Sequence, residues 1–380
     1  MRFEHPQILM ARIMFTIVAA LVTTQAASPG MGRQSSSGPS PAVIDNLISK
    51  WIDRTPTGSS ARAMPTGTED CAAIYDPVRR RIILFGGKDD NDFNVDETWA
   101  FDPASTTWEK LETKGAKPPA SEDHTAIYDP IGYRMILYGG ENGATTNKLW
   151  SLDLKTLTWR NMTSSDVPRR ESHSAVYDSR GKRMVIFGGL DRASYDLHEI
   201  WAMDLDPKSP TFEKWQNLTV QEGRPPGRID HAALYDPKRN RMVINAGWTK
   251  TRKGLFSDMW AFYFAETPGG KGRWEKVDTS TMAPPERRFA VALHDPERNW
   301  YVMFGGQGRE GLLNDIWLFD LDKDVWAEVK PIGSSPVPRL DHQAVYDPDT
   351  RSFFIYGGDG WRKDGKKLHD VWELQFGGGT

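Results

Sequence analysis

The sequence predicts an all-β chain folded as a six-bladed β-propeller, and three observations carry that expectation. One strand–turn–strand pattern recurs six times, most copies end their second strand on a double glycine, and every copy marks its third strand with a tryptophan. With 34 Gly, 25 Pro and 15 Trp, the composition suits many short strands joined by tight turns. The one helical signal is a short turn near Ile44–Trp51.

Each unit opens with a short strand closing on Tyr-Asp-Pro or a close variant, at Ala72–Tyr75, Thr125–Tyr128, Ser174–Tyr177, Ala232–Tyr235, Val291–His294 and Gln343–Tyr346. The Asp-Pro pre-sets a turn. A more apolar strand follows, at Arg81–Phe85, Arg134–Tyr138, Arg183–Phe187, Arg241–Asn245, Trp300–Phe304 and Ser352–Tyr356, and ends on glycines that permit positive φ and close backbone approach. A polar loop of variable length then leads to the third strand at Trp99, Trp150, Trp201, Trp260, Trp317 or Trp372. The fourth carries another aromatic, at Trp108, Trp159, Phe212 or Trp215, Trp274 and Trp326.

The double glycine, the spaced aromatics and the four-strand period resemble kelch repeats over roughly Trp51 to Phe376. The sixth unit lacks a fourth strand, whereas Trp51-Ile52-Asp53 stands unpartnered before the first. Trp51 is therefore expected to supply the outer strand of the last blade, which removes the exposed edge of an open array.

The first residues read as targeting. Arg2 and Arg12 flank a basic leader, Ile13–Val22 is apolar, and Thr24-Gln25-Ala26 offers small residues for cleavage after Ala26. Residues 1–26 are thus expected to be a secretory signal, 27–41 a flexible leader and 42–380 the propeller, with no adaptor domain beside it. No integral membrane segment is expected after cleavage, because ten apolar residues are too few to span a bilayer. Asn161 and Asn217 head Asn-x-Thr sequons and are candidate glycosylation sites. Cys71 is the only cysteine, so no intramolecular disulfide can form. A net charge of −3 gives no electrostatic basis for nucleic acid as a partner.

Function is expected on the loops around the channel mouth. Reading that rim unit by unit gives Glu69-Asp70-Cys71, Glu122-Asp123-His124, Glu171-Ser172-His173, Ile229-Asp230-His231, Arg288-Phe289-Ala290 and Leu340-Asp341-His342, with Arg170, Arg228, Arg287 and Arg339 just upstream. Repetition favours a structural role for any single His, since kelch repeats commonly place Arg and His near here. Departures from the repeat point to chemistry. Unit five has Ala290 for His and His294 for Tyr, unit four ends on Asn245-Ala246-Gly247, and Trp248 and Trp361 fit no repeat position.

The resulting candidate site lies toward units four to six. His231 and His342 are its acid or base, Asp230 and Asp341 their partners, and Arg288 a clamp; Asp123, His124, Arg228 and Arg339 contribute binding groups, and Trp248 and Trp361 form walls. No cofactor and no metal site is evident, because the His come from separate units without local ligand spacing. Galactose oxidase resembles this architecture but needs a Cys–Tyr cross-link and Tyr and His copper ligands, and no Tyr-His pair occurs here. Plant specifier proteins look similar too, yet their Glu, Asp and His spaced four apart are missing. Two readings survive: a secretory-pathway binder of a small molecule, with cofactor-free acid–base chemistry, and a non-catalytic scaffold for a protein or glycan.

Overall fold

The computed structural model describes residues 47–58, 64–165, 167–191, 193, 195–266, 270–279 and 282–377. The expected signal and the leader to Pro41 lie outside them. Strand β1 (Ile48–Asp53) precedes the first blade, β2 (Ala72–Asp76), β3 (Arg81–Phe85), β4 (Thr98–Asp102) and β5 (Thr107–Lys110). Blade two is β6 (Glu122–Asp129), β7 (Arg134–Glu141), β8 (Leu149–Asp153) and β9 (Thr158–Asn161). Blade three is β10 (Ser174–Asp178), β11 (Arg183–Phe187), β12 (Ile200–Asp204) and β13 (Trp215–Asn217). Blade four is β14 (Ala232–Asp236) and β15 (Arg241–Asn245), a small hairpin β16 (Trp248–Thr249) and β17 (Gly254–Leu255), then β18 (Met259–Tyr263) and β19 (Arg273–Val277). Blade five is β20 (Val291–Asp295), β21 (Trp300–Gln307), β22 (Leu312–Asp320) and β23 (Val325–Val329). Blade six is β24 (Gln343–Asp347), β25 (Ser352–Tyr356) and β26 (Val371–Gly377), with β1 as its outer strand. The helical turn expected near Trp51 is therefore a strand from Ile48 onward, because pairing to β26 satisfies that backbone.

Closure by β1 is as the repeat count predicts. Trp51 opposes Leu374, is 6 % exposed, and meets Phe304 of blade five edge-on at 5.0 Å. Arg54 holds Glu373 at 2.6 Å. In blade three, Trp215 supplies the fourth-strand aromatic, and Phe212 lies in the preceding turn.

The second strand of every sheet is buried on both faces, so its alternate residues serve two cores. On β3, Ile83 and Phe85 pack toward blade two while Ile82 and Leu84 pack toward blade six. The same division repeats around the ring and gives one apolar cluster per blade interface. At the far end of each first strand the Asp of the Tyr-Asp motif is buried. Its carboxylate accepts the N–H two residues on at 2.9–3.1 Å, which sets the turn.

Candidate functional site

Three residues at the entry to each first strand build the mouth, and in blade two they open the strand itself. The middle ones are Asp70, Asp123, Ser172, Asp230, Phe289 and Asp341, and all have φ between 52° and 60°. This left-handed conformation, which Asp tolerates better than most residues, lets five of the six amides donate to the carbonyl one blade back. The bonds run from Asp123 to Asp70 (3.2 Å), Ser172 to Asp123 (3.1 Å), Asp230 to Ser172 (3.1 Å), Phe289 to Asp230 (2.9 Å) and, across the closure, Asp70 to Asp341 (3.2 Å). A backbone hoop, bonded at every blade step but that from five to six, thus stitches the blades at the channel mouth. Beyond it runs a cavity of about 620 Å³ with one alanine per blade on its wall: Ala73, Ala126, Ala175, Ala233, Ala292 and Ala344.

The hoop makes neighbours of acids from successive blades and, across the closure, from opposite ends of the chain. Glu69, Asp70 and Asp341 each offer an oxygen within 4.8 Å of the others, and so do Asp70, Glu122 and Asp123. Burial and then the charges of Asp341 and Asp123 push Asp70 well above the usual carboxylate range. Burial and the Asp123 and Asp230 charges do the same to Asp341. Asp123 is pushed up to about 6 by burial and Glu122, and Asp230 to about 8 by burial and Asp123. Lys88 pairs with Glu122 at 2.5 Å and Lys367 with Glu69 at 2.7 Å. Such an oxygen-only set has the donors that a hard cation takes, or that an organic ammonium or guanidinium takes.

The opposite sector is different. Arg288 donates to Gln307 (3.0 Å), stands 3.8 Å from Asp230, and lies over the rings of Phe289 (4.5 Å) and Trp248 (5.2 Å). Trp248 holds a repeat position after all. Its bridge to Ile229 matches the bridges Lys88–Glu69, Leu190–Glu171, Gln307–Arg288 and Asp359–Leu340, and the residue type simply varies there. Neither Trp248 nor Trp361 lines the cavity, and Trp361 is 54 % exposed on the loop after β25.

The structure places the histidines between blades. His124, His173, His231 and His342 are buried and meet the aromatic of the preceding blade's second strand edge-on. Nε2 of His173 bonds Thr125 (2.8 Å), that of His231 bonds Ser174 (2.7 Å), and that of His124 bonds the Phe85 carbonyl (3.1 Å). Burial lowers His124 to about 4; burial and the adjacent Arg228 or Arg339 lower His231 and His342 to about 3. They are neutral at physiological pH, which leaves them poorly matched to acid–base work. A Cβ at Gly86, Gly139 or Gly188 would press within 2.7–2.9 Å of the imidazole and within 2.6–2.9 Å of the Ser121, Arg170 or Arg228 carbonyl, so glycine is favoured by both. Blade five has Ala290 in place of His, and blade four has Ala246 in place of Gly; blade six keeps Gly357 although blade one has Cys71, because a Cβ there would meet the Thr68 carbonyl at 2.5 Å.

The arginines are struts. Arg228 and Arg339 are fully buried; each bonds a carbonyl of its own blade, of Ala246 (2.9 Å) and Gly357 (3.0 Å), and clasps Asp258 or Asp370 with both nitrogens. Burial opposes ionisation of those aspartates, yet the guanidinium bonds hold both below the usual range. Neither arginine can reach a ligand in this arrangement. Both sequons also serve the fold. Asn161 and Asn217 are exposed at the ends of β9 and β13, and each accepts the N–H of its Thr at 2.8 Å. The Thr hydroxyls in turn bond the N–H of Leu149 and Ile200 at 3.1 Å.

Comparison with known proteins agrees with the architecture. The sequence model of the KLHDC2/KLHL20/DRC7 Kelch-repeats domain matches residues 71–211 and 209–379. The chain belongs to the kelch-repeat family. It is 27 % identical over 273 residues to Adagio-like protein 1 of Oryza sativa subsp. japonica, covering 67 % of this chain and 41 % of the relative. It is 27 % identical over 249 residues to Kelch domain-containing protein 3 of Rattus norvegicus, covering 63 % and 62 %. The chain thus spans about two-fifths of the rice relative's length and under two-thirds of the rat one's. A solved chain titled "Structure of YjhT" superposes with a TM-score of 0.61 over 84 % of this chain and 100 % of that one, at 14 % identity, which shows a shared fold. Among the described residues no helix is long and apolar enough to cross a membrane.

Proposed function

We propose that this propeller is a recognition module that takes a cationic group of a protein partner into the acidic sector formed by blades six, one and two. The observation that carries it is the placement of Asp70 inside two carboxylate triads, each within 4.8 Å, a repulsive cluster that an incoming cation relieves. The test uses acetyl-Gly-Ser-Lys-Ser-Gly-amide as probe and its Glu-for-Lys counterpart as control, followed by amide chemical shifts at pH 8. The lysine peptide should perturb Asp70, Asp123 and Asp341, and the Asp70→Asn variant should lose the response. Equal response to both peptides would defeat the reading.

A second reading rests on Asp123 and Asp230, pushed to about 6 and about 8, which straddle neutrality as an acid–base pair on a small ligand would. It predicts a small molecule retained by protein purified from its native host and lost in Asp230→Asn, readable by mass spectrometry. Secretion is part of the same proposal, supported by the leader at Arg2–Ala26; a native N-terminus at Ala27 is its test.

A further inference from the structure

We infer that the loops of blades one and six add an aromatic anchor to the acidic sector, so that the partner segment is one whose basic residue is flanked by apolar side chains. This rests on the proposed cation reading and extends it. The two loops, residues 88–97 and 359–370, are tied together by Lys367. Its main-chain N–H donates to Asp90 (2.9 Å), and its ammonium meets Glu69 (2.7 Å), Asp92 (3.2 Å) and Asp359 (3.7 Å). Glu69 belongs to the acid triad with Asp70 and Asp341, so these loops border the cation site directly.

Each loop then exposes an aromatic ring next to one of those carboxylates. Phe93 follows Asp92 and is 69 % exposed; Trp361 lies two residues after Asp359 and is 54 % exposed. Trp361 also carries φ of 50°, a conformation that a bulky residue adopts at a cost, and its N–H is pinned to Asp359 at 2.6 Å. Most other tryptophans of the described chain pack into a blade interface. The two rings share with Val78, Tyr195 and Ile332 an exposure above half, and differ from them in standing beside carboxylates that meet Lys367. The surface thus offers negative charge at its centre and two apolar rings at its border. The complementary occupant is a peptide segment carrying a cation between apolar side chains, its charge meeting the triad and its neighbours covering Trp361 and Phe93.

The test compares acetyl-Gly-Leu-Lys-Phe-Gly-amide with acetyl-Gly-Ser-Lys-Ser-Gly-amide by calorimetric titration at pH 8. The apolar-flanked peptide should bind about tenfold tighter. Trp361→Asn, which keeps a residue at ease with positive φ, and Phe93→Ser should abolish that preference while leaving the Ser-flanked affinity within about twofold. Asp70→Asn should weaken both peptides. Equal wild-type affinities, or a preference that survives both loop variants, would overturn the anchor and leave the cation site standing. Failure of both peptides to bind would remove both. A wild-type dimer that Trp361→Asn dissociates, or chitotetraose binding lost in Trp361→Asn, would assign the surface to a second copy or to a glycan and overturn the inference.

Discussion

Neutralising Asp70 should stabilise the protein while it weakens cation binding. Asp70 shares one 4.8 Å cluster with Glu69 and Asp341 and another with Glu122 and Asp123. At an effective dielectric of about 20, two unit charges at that separation repel by about 3 kcal/mol. The cluster shares protons and two lysines, so the relief on Asp70→Asn is a fraction of the possible pairs, about 1–3 kcal/mol. Asn also accepts the left-handed backbone at this position, so no strain offsets the gain. For a chain of this size the expected rise in Tm is about 1–4 °C. The effect depends on pH in a defined direction. The ring acids have folded pKa values raised above their unfolded ones, so their contribution to stability is fullest below the unfolded values and is lost as pH rises through the folded ones, about 6 for Asp123 and about 8 for Asp230. Differential scanning calorimetry of wild type and Asp70→Asn should show the gain at pH 8 and its shrinkage at pH 5. A Tm that falls on substitution at pH 8, or a gain identical at both pH values, would refute the account of a repulsive, ligand-ready cluster.

Other consequences follow from the same geometry. Affinity for the lysine peptides should increase from pH 6 to pH 9 as the ring acids lose their protons, measurable by titration calorimetry in buffers of differing ionisation enthalpy. Arg339→Leu should cost about 3–5 kcal/mol in urea unfolding because Asp370 and the Gly357 carbonyl lose their partners, whereas Arg288→Leu, half-buried and loosely paired, should cost under about 1 kcal/mol. Removal of residues to Arg54 should lower Tm far more than removal to Pro41, and Trp51→Ala alone should cost about 3–5 kcal/mol. Imidazole proton shifts of His231 and His342 should stay flat between pH 5 and 8, since both are held neutral down to about 3.

Much of the architecture was legible because a propeller repeats its chemistry. The Tyr-Asp turn, the apolar second strand and the glycines recur at one period, and the surplus Trp51 matched the missing strand of blade six. The candidate site was legible only as a location. The rim residues were identified correctly as neighbours around the mouth, but their roles were not readable from residue type. Arg228 and Arg339 look like ligand groups in one dimension; in three they face Asp258 and Asp370, which stand 30 and 31 residues further along. His231 and His342 look catalytic until burial makes them neutral. The acid triads are not legible in the chain order because each joins carboxylates of two different blades.

The sequence by itself determined the number of blades, the strand order within each and the closure by both ends, since these depend on local pattern: alternation, turn chemistry and period. Tertiary structure alone decided which charges meet. Interactions between blades depend on side-chain direction and on the left-handed hoop that carries each rim residue toward the next. Those determine whether a carboxylate faces an arginine, as Asp370 does, or another carboxylate, as Asp70 does.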